Sequence, residues 1–446
     1  MKKIFCGVEV ALITLLCVAP VTAESIRDEL EDELFGGRNP SFFTTRDNRP
    51  LLSAEPERFG QSILALGGVG RVVTQALSNE VLSESAVIPV PAGSAGFAYA
   101  FNPDLNVFER KSIGLGTIFN ERVTTLGKGA FALGATYVRQ DFDEFNGKDT
   151  SSLRVRRGLF ARDPFLGQLI EDDSVRATLD LDVTTNSVAF YAIYGATDWL
   201  DLSFLLPVTV IDFRARSTVR VVNGTLREDV PAFFSDSQCT PARAQGGLCE
   251  VSDFTIIREG TPFTLTNPRT GGQTQAFSDV VDETRVGVSD LLVRGKARFF
   301  ESAWGSLGGL TEFTFPTGDK DNFLGDDAFK ARILFLYSTP PLFDDRLYFH
   351  FNGGGRVTTE TSRKDTLEYG SGLDLAVTQQ FSLIAELTGF VRVDPQGLPN
   401  NFLDAAFGFK ANLFRGLIAV ASFRIPITDD GLRSDLVYLA GLEYDF

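Results

Sequence analysis

Asp435-Leu-Val-Tyr-Leu-Ala-Gly-Leu-Glu-Tyr-Asp-Phe446 alternates from end to end. Leu436, Tyr438, Ala440, Leu442, Tyr444 and Phe446 share one register; Asp435, Glu443 and Asp445 share the other. Successive side chains of a strand point to opposite faces, so this period of two predicts one apolar and one polar face. The pattern recurs upstream. Val175, Ala177, Leu179, Leu181 and Val183 oppose Asp180 and Asp182. Leu291, Val293, Ala297 and Phe299 oppose Asp290, Arg294, Lys296 and Arg298. Phe329, Ala331, Ile333 and Phe335 oppose Lys330 and Arg332; Leu347, Phe349 and Phe351 oppose His350; Phe423 and Ile425 oppose Arg424.

A soluble β-sandwich would alternate too. Three features favour a membrane barrel. The strands run to roughly 10–14 residues, enough for a tilted crossing of about 9–11. Tight connections (Thr197-Asp198, Gln379-Gln380, Asn412-Leu413) alternate with longer polar ones (223–284, 317–326, 356–364, 393–401), as in barrels with short periplasmic turns and longer outer loops. The chain ends on an aromatic amphipathic strand. The sequence thus predicts an all-β, transmembrane antiparallel β-barrel over 95–446. Its strands start near 95, 129, 174, 186, 200, 285, 304, 327, 344, 366, 381, 402, 415 and 432. That count is fourteen, with twelve and sixteen as alternatives, because the 144–173 link falls on the short-turn side and is too long for it.

Lys2 and Lys3 precede an apolar stretch from Ile4 to about Val21, and Val21-Thr22-Ala23 has the small residues of a cleavage site. Residues 1–23 read as a secretory signal peptide. Residues 24–94 precede the first strand. Their run Phe59 to Leu77 is too apolar for a free tail and too irregular for a wall strand. Two readings fit it: a plug-like segment in the barrel lumen, or a periplasmic amphipathic tail or helix at the rim. Cys239 and Cys249 remain after processing, and an exported loop with two nearby cysteines predicts a disulfide.

Composition removes other classes. Against 42 Lys and Arg stand 58 Asp and Glu, a net charge of −16, so a nucleic-acid partner is not expected. One histidine rules out a multi-histidine metal site, and two mature cysteines rule out a Cys-rich one. No cofactor or resident metal is expected. The acidic loop 318–327 is read as solvated, with Ca²⁺ or lipopolysaccharide-bound cations as the alternative. Many of the 40 Phe, among them Phe299, Phe335, Phe407 and Phe446, fall in the lipid-facing register, and others, such as Phe101, Phe315 and Phe390, at rims, loops or the lumen side.

The inward register predicts a lumen lined by Asp180, Asp182, Asp290, Arg294, Lys296, Arg298, Glu312, Lys330, Arg332, His350, Glu386, Phe390 and Arg424. Leu292, Leu310, Leu334, Leu336 and Ile384 share that register. The charges read as an ion-pair ladder or as a selectivity patch. The apolar groups read as the lining of a path for apolar molecules or as packing for a plug. A barrel hydrolase would need its His on the outward face near the rim, and His350 has the inward register.

Four strings carry a family resemblance: Ser112–Gly129 (SIGLGTIFNERVTTLGKG), Tyr194–Val208 (YGATDWLDLSFLLPV), Val288–Arg298 (VSDLLVRGKAR) and Phe315–Gly325 (FPTGDKDNFLG). Together they resemble the outer-membrane proteins grouped under "MetA-pathway of phenol degradation", allied to FadL-like channels for hydrophobic compounds. The resemblance implies an outer-membrane barrel and a transport role. It supplies no catalytic residues, and the N-terminus lacks the start typical of fatty-acid members. The expected function is a non-enzymatic channel for small hydrophobic or aromatic compounds. The alternative is a structural or adhesive barrel using loop 223–284. The expected partners are such small molecules, outer-membrane lipid and lipopolysaccharide, periplasmic chaperones and the barrel-insertion machinery.

Overall fold

Alternating residues hold the chain extended in fourteen long strands. In chain order they are β1 (Phe131–Phe145), β2 (Leu153–Arg162), β3 (Leu169–Thr197), β4 (Leu200–Asn223), β5 (Ala276–Val288), β6 (Leu291–Ser302), β7 (Gly305–Phe315), β8 (Lys330–Ser338), β9 (Leu347–Thr358), β10 (Thr366–Thr378), β11 (Phe381–Arg392), β12 (Asn401–Phe414), β13 (Leu417–Pro426) and β14 (Leu432–Asp445). The structure, a computed structural model, describes residues 25–27, 43–44, 81, 99–102, 107–110, 114–162, 169–223, 264–266, 273–274, 276–359, 365–393, 401–414 and 416–446. The signal peptide, the 59–77 run, and Cys239 and Cys249 lie outside the described residues.

β1, β3, β4 and β6 through β14 each pair antiparallel with the next, and β14 returns to β1. The result is a closed ring of twelve strands. Closure leaves no open sheet edge inside a bilayer, where an unpaired backbone group would cost several kcal/mol.

Two of the fourteen expected wall starts dissolve. Residues 99–102 and 107–110 form a two-stranded sheet of their own. The starts near 174 and 186 belong to one 29-residue strand, β3. Its polar middle, Thr184 to Ser187, stays extended because both neighbours pair with it: Asn186 faces Arg139 of β1 and Val210 of β4. With β3 whole, the 144–173 link falls on the long-loop side, and the parity problem disappears. Part of the expected 223–284 loop is also strand, because β5 pairs with β4 from Ala276 onward.

β2 and β5 are the two strands outside the twelve. β2 pairs with the first half of β3, and β5 with the second half of β4. At about 3.3 Å per residue, β3 is roughly 95 Å long. Its first half therefore stands beyond the ring, in a four-stranded sheet of β2, β3, β4 and β5. The inner face of that sheet buries Leu179, Leu181, Val183, Phe213 and Val281 against Ile26, Val81, Phe323 and Leu324.

This corrects two expectations. Asp180 and Asp182 do not face the lumen. They lie on the opposite face from buried Leu179 and Leu181, in register with Arg216 and Arg214. Arg214 also reaches Asp282 at 3.7 Å. Above the ring the apolar face turns inward and the charged face meets water. The register rule held, but the medium on each side is reversed. Asp435 departs too. The β14–β1 register shifts between Arg433 and Val437, and Asp435 turns outward.

Around the ring the outward side chains are apolar. Phe299, Ile333, Phe335, Phe351, Phe407, Phe423, Tyr438 and Leu442 are exposed, and Trp199, Trp304, Phe414 and Phe446 crowd the short-turn end. An apolar belt of this extent with aromatic residues at its margin suits lipid. Replacing Phe335, 71% exposed in the belt, with Arg should destabilise the barrel in phospholipid vesicles by about 2–4 kcal/mol. Asp182→Arg on the projecting sheet should change little. Denaturant unfolding in vesicles checks both, and equal effects would place Phe335 outside the bilayer.

Candidate functional site

The lumen is crossed by the chain itself. Residues 114–126 enter the ring as an irregular strap before joining β1, and Leu115, Thr117, Ile118, Asn120, Glu121, Arg122, Val123 and Leu126 are buried there. A strap outside any sheet has no ladder to satisfy its N–H groups. Wall side chains supply the acceptors instead. Ser382 Oγ accepts from Leu115 N at 3.0 Å, and Asp374 from Gly116 N at 2.8 Å. The Glu386 carboxylate accepts from Ile118 N, Phe119 N and Asn120 N at 2.7–3.2 Å, and from Asn120 Nδ2 at 3.2 Å. Asn352 Oδ1 accepts from Glu121 N at 2.7 Å while its Nδ2 donates to Glu121 O at 2.8 Å. Ser338 Oγ accepts from Val123 N, and both Asp201 oxygens accept from Leu126 N.

Glycine makes the strap's turn and its docking possible. Gly116 has φ +84°, a conformation that a side chain would strain. At the far end Gly129 N donates to Gly195 O at 2.8 Å, and a Cβ on Gly195 would stand 1.8 Å from Gly127 O.

Opposite charges run around the ring at the strap's level. Arg356 meets Glu368 at 3.0 Å; Arg332 meets Glu368 at 2.6 Å and Glu312 at 3.7 Å. Arg294 meets Glu312 at 2.6 Å and Glu121 of the strap at 3.7 Å. Lys296 meets Glu121 at 3.8 Å and Asp201 at 3.9 Å. The chain of contacts joins β4, β6, β7, β8, β9 and β10 through one strap residue. Sequence reasoning proposed Arg294, Lys296, Glu312 and Arg332. It missed Arg356 and Glu368, which have the inward register, and Asp201. It had no means of finding Glu121, because the strap has no period.

The other expected lining residues lie outside that chain of ion pairs. Asp290 sits at the β5–β6 junction and accepts from Gly318 N and Asp326 N, tying down the outer loop. Lys330 pairs with Asp326 in that loop. Asp319 caps a short helical turn there, and the Asp327 hydrogen bond holds the Lys320 pKa above its ordinary value. The loop's acids thus have protein partners. Arg298 lies at the short-turn end with Glu301. His350 Nδ1 and Ser338 Oγ are 2.8 Å apart, buried behind the strap. Arg424 contacts Asp404 at 3.6 Å and lies over the Phe119 ring. Phe390 stacks on Phe402, centroids 4.4 Å apart.

The inward apolar residues pack on the strap. Val123 sits among Leu310, Leu334 and Leu336. Ile118 and Phe119 sit among Val138, Ile384, Val420, Val437 and Leu439. Leu126 packs with Tyr191, Ile193 and Leu205.

No protein-family model matches the chain, and no curated protein matches it. Among solved structures the fold is similar to an outer-membrane channel from Pseudomonas putida F1, at 13% identity over 73% of this chain and 98% of that one, with a TM-score of 0.40. It is also similar to the TodX monoaromatic hydrocarbon channel (12% identity, 80% and 95% coverage, TM-score 0.30) and to the Ralstonia pickettii toluene transporter TbuX (10%, 72% and 90%, 0.31). At this distance any functional argument rests on the side chains of this chain.

Glu386→Ala removes the acceptor for three strap N–H groups at once. Each orphaned group costs about 1–3 kcal/mol if left unpaired. The variant should keep its barrel, loosen the strap, and raise ion conductance in planar bilayers severalfold. Labelling of a cysteine placed at Phe119 should quicken in parallel. Wild-type conductance and labelling would show that Glu386 does not hold the strap.

Proposed function

We propose that the protein is an outer-membrane channel for passive uptake of small hydrophobic or aromatic compounds. The observation that carries this reading is the apolar lining beneath the strap. Leu310, Leu334, Leu336, Ile384, Val420 and Leu439 all point inward and are buried. A water-filled pore has no physical reason to keep such residues inside. When the strap shifts, these residues would line a dry passage suited to apolar solutes. The strap is held to the wall largely by hydrogen bonds, which water can replace. The apolar contacts beneath it would pass to the solute.

The signal-like pattern of residues 2–23 and the apolar belt support an outer-membrane location. The resemblance in the four strings supports alliance with FadL-like channels. Such a protein would meet periplasmic chaperones and the insertion machinery on its way to lipid and lipopolysaccharide. A non-catalytic role fits the one histidine: His350 is buried, and its Nε2 has no hydrogen-bond partner among the described residues. Among the described residues no carboxylate orients it.

Proteoliposomes check this reading. Uptake of toluene should exceed that of glucose by well over the ratio in protein-free vesicles, and Glu386→Ala should speed toluene uptake. Equal acceleration of both solutes in the wild type would favour a general pore. No acceleration of either would favour the structural or adhesive alternative.

A further inference from the structure

One face of β4 changes character partway along the strand. Leu202, Phe204, Leu206, Val208 and Val210 hold its outward register, and Asp212, Arg214, Arg216, Thr218 and Arg220 continue it. Leu202 and Phe204 are exposed on the apolar belt. The switch after Val210 therefore marks where the belt ends on this strand, toward the long loops. Outer-membrane barrels turn their long loops to the cell exterior. Positions beyond Val210 thus stand in whatever covers the outer leaflet.

Charge is laid out unevenly on this face. Nearest the belt, arginines alternate with acids: Arg214 stands between Asp182 of β3 and Asp282 of β5, and Arg216 stands opposite Asp180. Farther out the acids stop. The next row across the sheet is Arg154, Thr178, Thr218 and Ser278, and the row after it is Arg156, Arg176, Arg220 and Ala276. These two rows hold four arginines and no carboxylate. Acids return on β3 only at Glu171 to Asp173, where the β2–β3 register shifts between Leu159 and Phe160.

Neighbouring strands lie about 4.8 Å apart, so the backbones at Arg156, Arg176 and Arg220 fall within about 10 Å of one another. Like charges directly opposite on adjacent strands destabilise a sheet. In a chain of net charge −16, such a row is not a by-product of composition. It becomes favourable when an anion lies along it. Guanidinium forks match phosphate oxygens in bidentate fashion, and neighbouring arginines can share one phosphate. The row begins ten residues past Val210, about 33 Å of strand. That height is beyond the lipid headgroups, at the level of the saccharide that outer-leaflet glycolipid carries.

We propose that these two rows of the projecting sheet bind the phosphorylated core saccharide of lipopolysaccharide. Core phosphates lie across β2, β3 and β4, between arginines of neighbouring strands. The glycolipid layer then braces the part of β3 and β4 that has left the ring. The proposal rests on the outer-membrane reading for its partner and is independent of what the lumen carries.

The test uses the whole chain in detergent micelles and three probes: lipopolysaccharide with a phosphorylated core, the same molecule made without core phosphates, and inorganic polyphosphate. Native mass spectrometry measures the bound fraction of each. The phosphorylated core should bind at least about tenfold tighter than the core without phosphate. The triple variant Arg156→Gln, Arg176→Gln, Arg220→Gln should lose that advantage, and the corresponding triple lysine variant should keep part of it. Arg214→Gln, on the row flanked by acids, should leave it within about twofold. If the triple glutamine variant fails to fold, Arg154→Gln and the probe comparison on the wild type still decide. Equal binding of the two lipopolysaccharides, or a preference unchanged in the triple variant, would overturn the proposal. Polyphosphate binding as tightly as the phosphorylated core would overturn it in favour of an unselective anion surface. Fractionation of the protein with outer membranes, without the phosphate preference, would remove the site and leave the location. The preference without such fractionation would remove the location and leave the site.

Discussion

Every backbone N–H and C=O inside a bilayer must find its partner within the protein. The seam between β14 and β1 meets that demand for the wall, from Leu432 opposite Phe145 to Asp445 opposite Ala132. Once the ring is closed, the same demand passes to whatever lies within it. The strap at 114–126 is not a strand, so it cannot use a ladder. Carboxylates and hydroxyls on the wall take its N–H groups: Glu386, Asp374, Asp201, Ser382 and Ser338. These polar residues sit in the lumen for that structural reason, and the apolar residues between them pack on the strap's side chains.

The buried charges follow from the same constraint. A single ion in a dry lumen would be costly, and a pair repays the cost only with good geometry and further hydrogen bonds. Here each sign alternates with the other from Arg356 to Asp201, and Glu121 links the wall to the strap. Directly opposed positions, Arg294 with Glu312 and Glu312 with Arg332, fix the order across three strands. The ladder runs around the ring. A path for ions would instead string like charges along the axis. The geometry therefore suits bracing. It also gives the strap a definite seat, because Glu121 completes the sequence between Arg294 and Lys296.

The period of two made the wall legible in advance. Phe299, Phe335, Phe351, Phe407, Phe423 and Tyr438 have the lipid-facing register and are exposed on the ring. What the period could not supply was the medium on either side of a strand. Leu179 and Leu181 alternate as a lipid face would, yet they stand above the ring and cover a core with Phe213 and Phe323. Nor does alternation show where a strand ends, so the single β3 reads as two strands in sequence. The strap carries no period at all. Its string, Ser112 to Gly129, and the string Tyr194 to Val208 both carry the resemblance, but their contact has no signature in sequence. Gly129 meets Gly195, and Leu126 meets Asp201, so two of the four resembling strings are two sides of one joint. Val288 to Arg298 brings Arg294 and Lys296 to the strap, and Phe315 to Gly325 is tied to Asp290. The residues carrying the resemblance are largely those that seat the strap and the outer loop.

The abundance of phenylalanine then has two separate causes. On the ring's outer surface, Phe supplies apolar area to lipid without polar atoms to satisfy. Inside, Phe119, Phe390 and Phe402 lie against the guanidinium groups of Arg392, Arg424 and Arg433. Leucine or valine would fill that space equally well as hydrophobic bulk. Neither would offer a ring face to a guanidinium, which gains roughly 0.5–2 kcal/mol from that contact. Aromatic side chains at these three inner positions are therefore tied to the arginines. They belong to the arginine cluster on the inner wall, whereas the outer ones bear only on the membrane around it.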